Sequence, residues 1–305
     1  MLNEVFKKSN LPYLALLTSS IIWGAASPIF KWSLENIPPF TLAYLRFSIA
    51  SLLIFPFAYK KLLIKKEDIL TLLLIALTGV TINISFFFWG LKYTTAINSV
   101  IIASSAPIIT IILSIIFLKE KPKKNIWLGT FLSLLGILII FLEPILIGKK
   151  GGTILGDTLM LIATISAVIQ TIATKKIIKK YPAETITFWT FFVGTFTFLP
   201  LLLYEFSSTP WLSSLSTKGI VGIIFGAFFS SAIAYLAYNW AIQKMEVSHM
   251  AVFTYLNPIV GIAIAVPLLG EKISIEFILG ALLVLSGIIL TEMHPHRFLH
   301  LYKKK

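Results

Sequence analysis

Arg46 is the charge whose position asks most for a chemical explanation. It stands inside the long apolar run PFTLAYLRFSIASLLIFPF, where a charge at the centre of a hydrocarbon span costs ~2.5–3.5 kcal/mol on insertion scales and is usually functional. A guanidinium there can take a carboxylate or phosphate through paired hydrogen bonds. It can also snorkel to the interface or hold helix-end carbonyls, and the sequence leaves both uses open.

The remaining polar groups inside apolar runs are neutral. Asn83 and Phe87 are one helical turn apart, Asn98 and Ser105 share a face, and Gln170 lies deep in its run. Tyr235, Tyr238 and Asn239 stand at i, i+3 and i+4, on one stripe. Tyr255 and Asn257 are two residues apart, so both face one cavity only if their helix is distorted. Pro258 supplies a cause by freeing the carbonyl of Thr254, and Pro107 does the same to Ala103. With Trp23, Ser27 and Trp189 these residues make a neutral, aromatic-rich set of candidate substrate contacts, and Pro107 and Pro258 are candidate hinges. Taken singly, each Asn or Gln reads more readily as interhelical glue, worth ~0.6 kcal/mol on average. Trp89, Trp127 and Trp211 read as interfacial anchors.

Catalytic patterns are weak. All thirteen Asp and Glu lie at the N-terminus, in loops or near helix ends. His249 opens a helix with no carboxylate beside it in sequence, and His294, His296 and His300 lie in a basic tail. No Gly-rich phosphate loop, acid pair or nucleophile elbow occurs, and the absence of cysteine excludes disulfides and sulfur-ligated zinc. No enzyme, cofactor or metal is expected.

The elements that carry these residues follow from composition. Hydrophobic residues make up 57% of the 305, charged ones only 13%, and mean hydropathy is +0.90. A soluble domain holds roughly a quarter of its residues charged, so lipid is the solvent this chain suits. Helices of about 20 apolar residues cross the bilayer, and ten such runs are read at 11–30, 40–59, 69–90, 95–118, 125–143, 154–174, 184–204, 217–241, 248–269 and 275–292. The first resembles a signal peptide but is long and followed by nine more, so it reads as retained. With a cytoplasmic N-terminus, 19 basic residues face in and 6 face out. This fits the positive-inside rule and leaves both termini cytoplasmic. The net charge of +13 is scattered in small clusters between apolar runs, which argues against nucleic acid as a partner.

The chain also repeats itself. Shifted by 151 residues, 89–139 against 240–290 gives 13 identities in 51 positions, among them Trp89/Trp240, Pro107/Pro258, Glu120-Lys121/Glu271-Lys272, Gly129/Gly280 and Gly136/Gly287. Five helices per half is an odd number, so the second copy, 148–305, must enter the membrane inverted relative to the first, 1–147. Inverted repeats are the architecture of alternating access around a midplane site.

These residues resemble the drug/metabolite transporter superfamily, and within it the EamA-type ten-helix transporters, which include YddG-like amino-acid and metabolite exporters. The resemblance rests on Trp23-Gly24, Lys31, Pro38-Pro39, Arg46, Ala106-Pro107, Lys119-Glu120-Lys121, Gly129 and Gly136. In the second half it rests on Asn257-Pro258, Gly270-Glu271-Lys272, Gly280 and Gly287. The second half lacks the Trp-Gly and the Arg, with Ser166 and Trp189 at roughly those places. The resemblance implies an all-α basket of ten transmembrane helices with a central cavity, helices five and ten packing outside it, in a prokaryotic plasma membrane. The small four-helix relatives exchange drugs for protons through a helix-one carboxylate. Here that helix offers Trp23, Ala26, Ser27 and Phe30, so such exchange is not expected.

The function expected is a permease or exporter of small metabolites, amino acids first. An exchanger of organic anions or sugar phosphates using Lys31, Arg46 and Lys92, and a non-transporting, lipid-binding scaffold, are the alternatives. A homodimer through the outer helices is left open.

Overall fold

The computed structural model describes residues 10–93, 102–140, 154–208, 211–212, 215–269 and 275–292. Among these the chain is helical, in ten successive stretches. The first two are α1 (Leu11–Ser33) and α2 (Pro39–Ala58, continued by a 3-10 turn at Tyr59–Lys61). Then come α3 (Lys66–Ala76, a π-helical Leu77–Ile82, and Asn83–Tyr93), α4 (Ala106–Leu118) and α5 (Lys124–Ile140). The second half holds α6 (Ile154–Ile177), α7 (Ala183–Ser208) and α8 (Thr217–Ile224, a π-helical Phe225–Ile233, and Ala234–Lys244). It closes with α9 (Val247–Ala251, a 3-10 turn at Val252–Tyr255, and Leu256–Leu269) and α10 (Ile275–Glu292). Seven of these have the length and hydropathy to cross a membrane, and Ala106–Leu118 and Ile278–Thr291 are shorter apolar helices. Helices are the form such segments must take, because hydrocarbon offers no partner to a free backbone group.

Proline and the left-handed backbone punctuate the helices. Pro38 is extended and Pro39 opens α2, where a missing N–H costs nothing. α4 stops at Lys119, whose φ of 56° turns its N–H back to the carbonyl of Ser114. Pro258 lies in the first turn of the α-helix that resumes after the 3-10 turn in α9, and Pro107 sits in the first turn of α4 just after the turn at Ser104 and Ser105.

The α5–α10 pair shows the inverted repeat in atoms. A Cβ on Gly129 would lie 2.5 Å from the Gly287 carbonyl oxygen, and one on Gly136 would lie 2.5 Å from that of Gly280. Each of these glycines therefore faces the residue 151 positions on from the other. Between them Ser133 Oγ donates to the Val284 carbonyl at 3.3 Å, and Val284 is Ser133's own counterpart 151 residues later. A residue that touches its symmetry mate lies on the axis. The pseudo-twofold therefore passes between α5 and α10 at Ser133, and the two helices run antiparallel. Glycine is required because backbone meets backbone, as in small-residue interfaces within membranes. This accounts for four of the glycines on which the family resemblance rests.

Elsewhere the interior is aromatic. Phe47, Phe191, Phe198 and Tyr255 are fully buried. Phe47 touches Phe191 with ring centroids 5.2 Å apart and stacks on Phe198. Trp89 and Trp127 are exposed, in keeping with an interfacial place. Trp211 is not the anchor the sequence suggested. It is 8% exposed, packed in the core cluster that holds Ile37 and Phe40 of the α1–α2 turn and the start of α2.

The α5–α10 contact generates a stability prediction. Gly287→Val should lower stability by about 1–3 kcal/mol through overpacking. Leu282→Ala, on the exposed face of α10, should cost less. Thermal unfolding of both variants in detergent checks the order.

Candidate functional site

Two π-helical turns, one in each half, organise the centre. The segment in α3 (77–82) and the last six residues of the one in α8 (228–233) are 151 residues apart, so they are counterparts. A π turn holds one residue more than an α turn and disturbs the local hydrogen-bond ladder. Carbonyls within these turns also accept from side chains of other helices. In α3, the carbonyl of Thr78 accepts from Ser166 Oγ of α6 at 2.6 Å, and that of Gly79 from Tyr235 Oη of α8 at 3.3 Å. In α8, the carbonyl of Ser230 accepts from Trp23 Nε1 of α1 at 3.0 Å. Each repeat's first helix thus holds the distorted third helix of the other repeat, through Trp23 in one case and Ser166 in the other.

Arg46 joins this arrangement from α2. Its Nε donates to Ser231 Oγ at 3.0 Å and its Nη2 to Ser230 Oγ at 3.1 Å, and its guanidinium lies 4.7 Å from the ring centres of both Phe30 and Phe47. The residue is 3% exposed, and no acidic side chain among the described residues forms an ion pair with it. These bonds use two of the five N–H donors that an arginine carries. The cation is therefore held by neutral hydroxyls and ring faces, with donors to spare.

The aromatic wall stands beside it. Trp23 meets Tyr235 and Tyr238 edge to face, centroids 5.2 and 5.0 Å apart. Tyr235 meets Phe191 in the same way at 5.1 Å. Tyr238 and Thr171 share a hydrogen bond at 3.3 Å. Gln170 is buried against Gly79, where a Cβ would lie 2.4 Å from its side chain. Gly24 plays a similar part on α1: a Cβ there would lie 2.8 Å from the Asn257 carbonyl oxygen of α9. Asn257 Oδ1, Asn239 Oδ1 and the Tyr255 hydroxyl are buried without a hydrogen-bond partner among the described residues.

The structure therefore brings Trp23, Arg46, Tyr235 and Tyr238 into one connected group, with Gln170 and Asn257 packed on glycines of α3 and α1. Other candidates lie apart from it. Asn239 turns to Thr187 of α7 at 2.9 Å, so the residues of the α8 stripe meet α1, α3, α6 and α7, not one wall. Asn83 donates to the Ala163 carbonyl at 2.8 Å, and Ser105 to Ile102 of its own segment at 2.6 Å. Trp189 donates to the Leu62 carbonyl at 3.0 Å near the α2–α3 connection. Phe87 packs on Phe88, Ser27 is half-buried on α1, and Asn98 lies outside the described residues. Sequence reasoning missed Ser230 and Ser231, the acceptors for Arg46. Two adjacent hydroxyls inside the Phe-rich run FGAFFSSAI were the available clue.

Polar contacts gather at both ends of the bundle. At the lysine-rich end Lys180 pairs with Asp68 at 2.8 Å, Tyr181 donates to Asp68 at 2.7 Å, and Lys175 caps the end of α8 at the carbonyls of Ile242 and Met245. There too Glu120 accepts from the first N–H groups of α9, Val247 and Ser248, both at 2.9 Å. At the opposite end Glu205 does the same for α2, at Phe40 and Thr41, and Lys218 pairs with Glu35 at 2.5 Å.

Comparison with known proteins gives this geometry its class. Residues 10–142 and 154–293 both match the EamA-like transporter family. An Archaeoglobus fulgidus protein named "Uncharacterized transporter" is 28% identical over 288 residues, spanning 93% of this chain and 98% of its own. Bacillus subtilis "Uncharacterized transporter YyaM" is 28% identical over 284 residues, 91% and 92% of the two chains. A solved crystal structure superposes with a TM-score of 0.75 at 16% identity, over 93% of this chain and 96% of that one, which speaks for the fold alone. This chain belongs to the EamA-like transporter family: it is an integral membrane transporter of inverted-repeat architecture.

The Lys180–Asp68 contact yields a pH prediction. Asp68 holds the Lys180 ammonium above the ordinary lysine value of 10.5. A raised folded value means that the stabilisation is complete below 10.5 and is lost as pH climbs through the folded value. The difference in melting temperature between wild type and Lys180→Gln should stay constant from neutral to mildly alkaline pH and close above that range.

Proposed function

We propose that the protein carries a small amphipathic, zwitterionic metabolite, amino acids first, by alternating access, with the central group on α1, α2 and α8 as its site. The observation behind this reading is Arg46, a buried cation with no acidic partner among the described residues and with donors unspent, joined through Ser230 to Trp23 and its ring partners Tyr235 and Tyr238. A substrate carboxylate would supply the missing anion through charge-assisted hydrogen bonds. An ammonium would lie favourably over the faces of Trp23, Tyr235 or Tyr238. The described carboxylates lie near helix ends, so facilitation or exchange suits the protein better than proton exchange.

The test is flux of radiolabelled amino acids into proteoliposomes. Saturable uptake should fall roughly tenfold or more in Arg46→Ala and in Tyr235→Ala, as loss of a charged hydrogen bond or a ring contact in a dry site implies. Asn239→Ala should change it less, because Asn239 faces Thr187. Uptake that depends strictly on an imposed proton gradient would count against facilitation.

The same unpaired cation favours a second reading, exchange of organic anions or sugar phosphates. Inhibition by sugar phosphates that disappears in Arg46→Ala would favour it. No flux of any of these solutes would leave a scaffold.

A further inference from the structure

A second polar site lies away from the centre, at the lysine-rich end. Tyr13 at the start of α1, Lys123 and Asn125 at the start of α5, Lys244 and Glu246 in the α8–α9 turn, and His249 in the first turn of α9 line a cavity of about 230 Å³. Its floor is fixed by Asn125 Nδ2, which donates to the carbonyl of Thr291 in the last turn of α10 at 2.6 Å. Lys123 and Lys244 form no ion pair among the described residues, and neither does Glu246, the one acidic side chain lining the cavity. Two lysines from different halves of the chain therefore line one cavity, against a single carboxylate, Glu246.

Position narrows what anion they would hold. Every lining residue is at or near a helix end, so the cavity sits at the height where a bilayer places its phosphates, not in the hydrocarbon. Trp127, two residues on from Asn125, is exposed, as an indole at the interface would be. Below it Leu128, Phe131, Leu135 and Leu138 form an exposed apolar stripe at i, i+3, i+7 and i+10 along α5. A ligand with a phosphate at one end and acyl chains at the other matches both parts. Basic pockets between helices at the cytoplasmic face are the physical type of an anionic headgroup site.

We propose that this cavity binds the phosphate of an anionic phospholipid, with Lys123 and Lys244 as its ligands and the exposed face of α5 as the bed for its chains. Its occupant bridges α5 to the α8–α9 turn, and so the two halves of the transporter.

The full chain in detergent, offered equal amounts of phosphatidylglycerol and phosphatidylcholine, tests this by the lipid it retains in native mass spectrometry. Wild type should favour phosphatidylglycerol. Each lysine near a membrane surface contributes about fivefold to such binding, so Lys123→Gln with Lys244→Gln should reduce the preference by up to roughly thirtyfold. Lys60→Gln with Lys66→Gln, basic residues outside the cavity, should leave it nearly unchanged. Glu246→Gln should strengthen it, which keeps the test decisive if the double variant does not fold. An equal loss in both lysine pairs, or no preference in wild type, would overturn the proposal. So would thermal stabilisation by inorganic phosphate equal to that by phosphatidylglycerol, since the site would then serve a soluble anion.

Discussion

Inside a bilayer a backbone carbonyl has no water to turn to, and at the centre of this protein three carbonyls of the two π turns accept side-chain donors. The donors that meet them come from other helices: the Trp23 indole, the Ser166 hydroxyl and the Tyr235 phenol. These bonds tie α1, α6 and α8 to the two π turns. Arg46 is tied to one of them as well, since its acceptors Ser230 and Ser231 lie on that distorted segment. A regular α8 would aim those two hydroxyls differently and leave the guanidinium unmatched.

The two halves are alike where they bear on backbone and unlike where they bear on charge. Trp23 and Ser166, 143 residues apart, hold counterpart π turns, and Ser133 meets its own mate Val284 on the axis. At the same spacing of 143, Arg46 is matched by Trp189, which leaves the centre and binds the Leu62 carbonyl. The single interior arginine therefore belongs to one half only, and the centre is chemically one-sided within a fold that is nearly two-sided.

Much of this was legible beforehand. The all-helical membrane class and the repeat followed from hydropathy and an offset of 151, because these properties accumulate over many residues. Of the ten spans read, seven have the length and hydropathy to cross a membrane among the described residues. Gly129, Gly136, Gly280 and Gly287 stood out as repeated glycines, and the structure supplies the reason, direct backbone contact. The site was legible only in part. Arg46, Trp23, Tyr235 and Tyr238 carry chemistry in their side chains and were visible. The π turns were not, because no residue type marks a one-residue change in helical winding. Without them Ser230 and Ser231 read as two small polar residues in a phenylalanine-rich run. The helical stripe of Tyr235, Tyr238 and Asn239 was visible too, and its members take different hydrogen-bond partners, Gly79, Thr171 and Thr187. Trp211 misled, since a loop tryptophan near an interface can fold inward as well as out.

The carboxylates at the helix starts have a consequence for how the chain is put together. Glu120, in the first half, satisfies the opening N–H groups of α9 in the second, and Glu205, in the second half, satisfies those of α2 in the first. Each half leaves the ribosome with a helix start that only the other can complete. During synthesis α2 waits for α7, more than a hundred residues later, before its first turn is closed. Each half thus supplies a helix cap to the other, and both caps close only after α7 and α9 have been made.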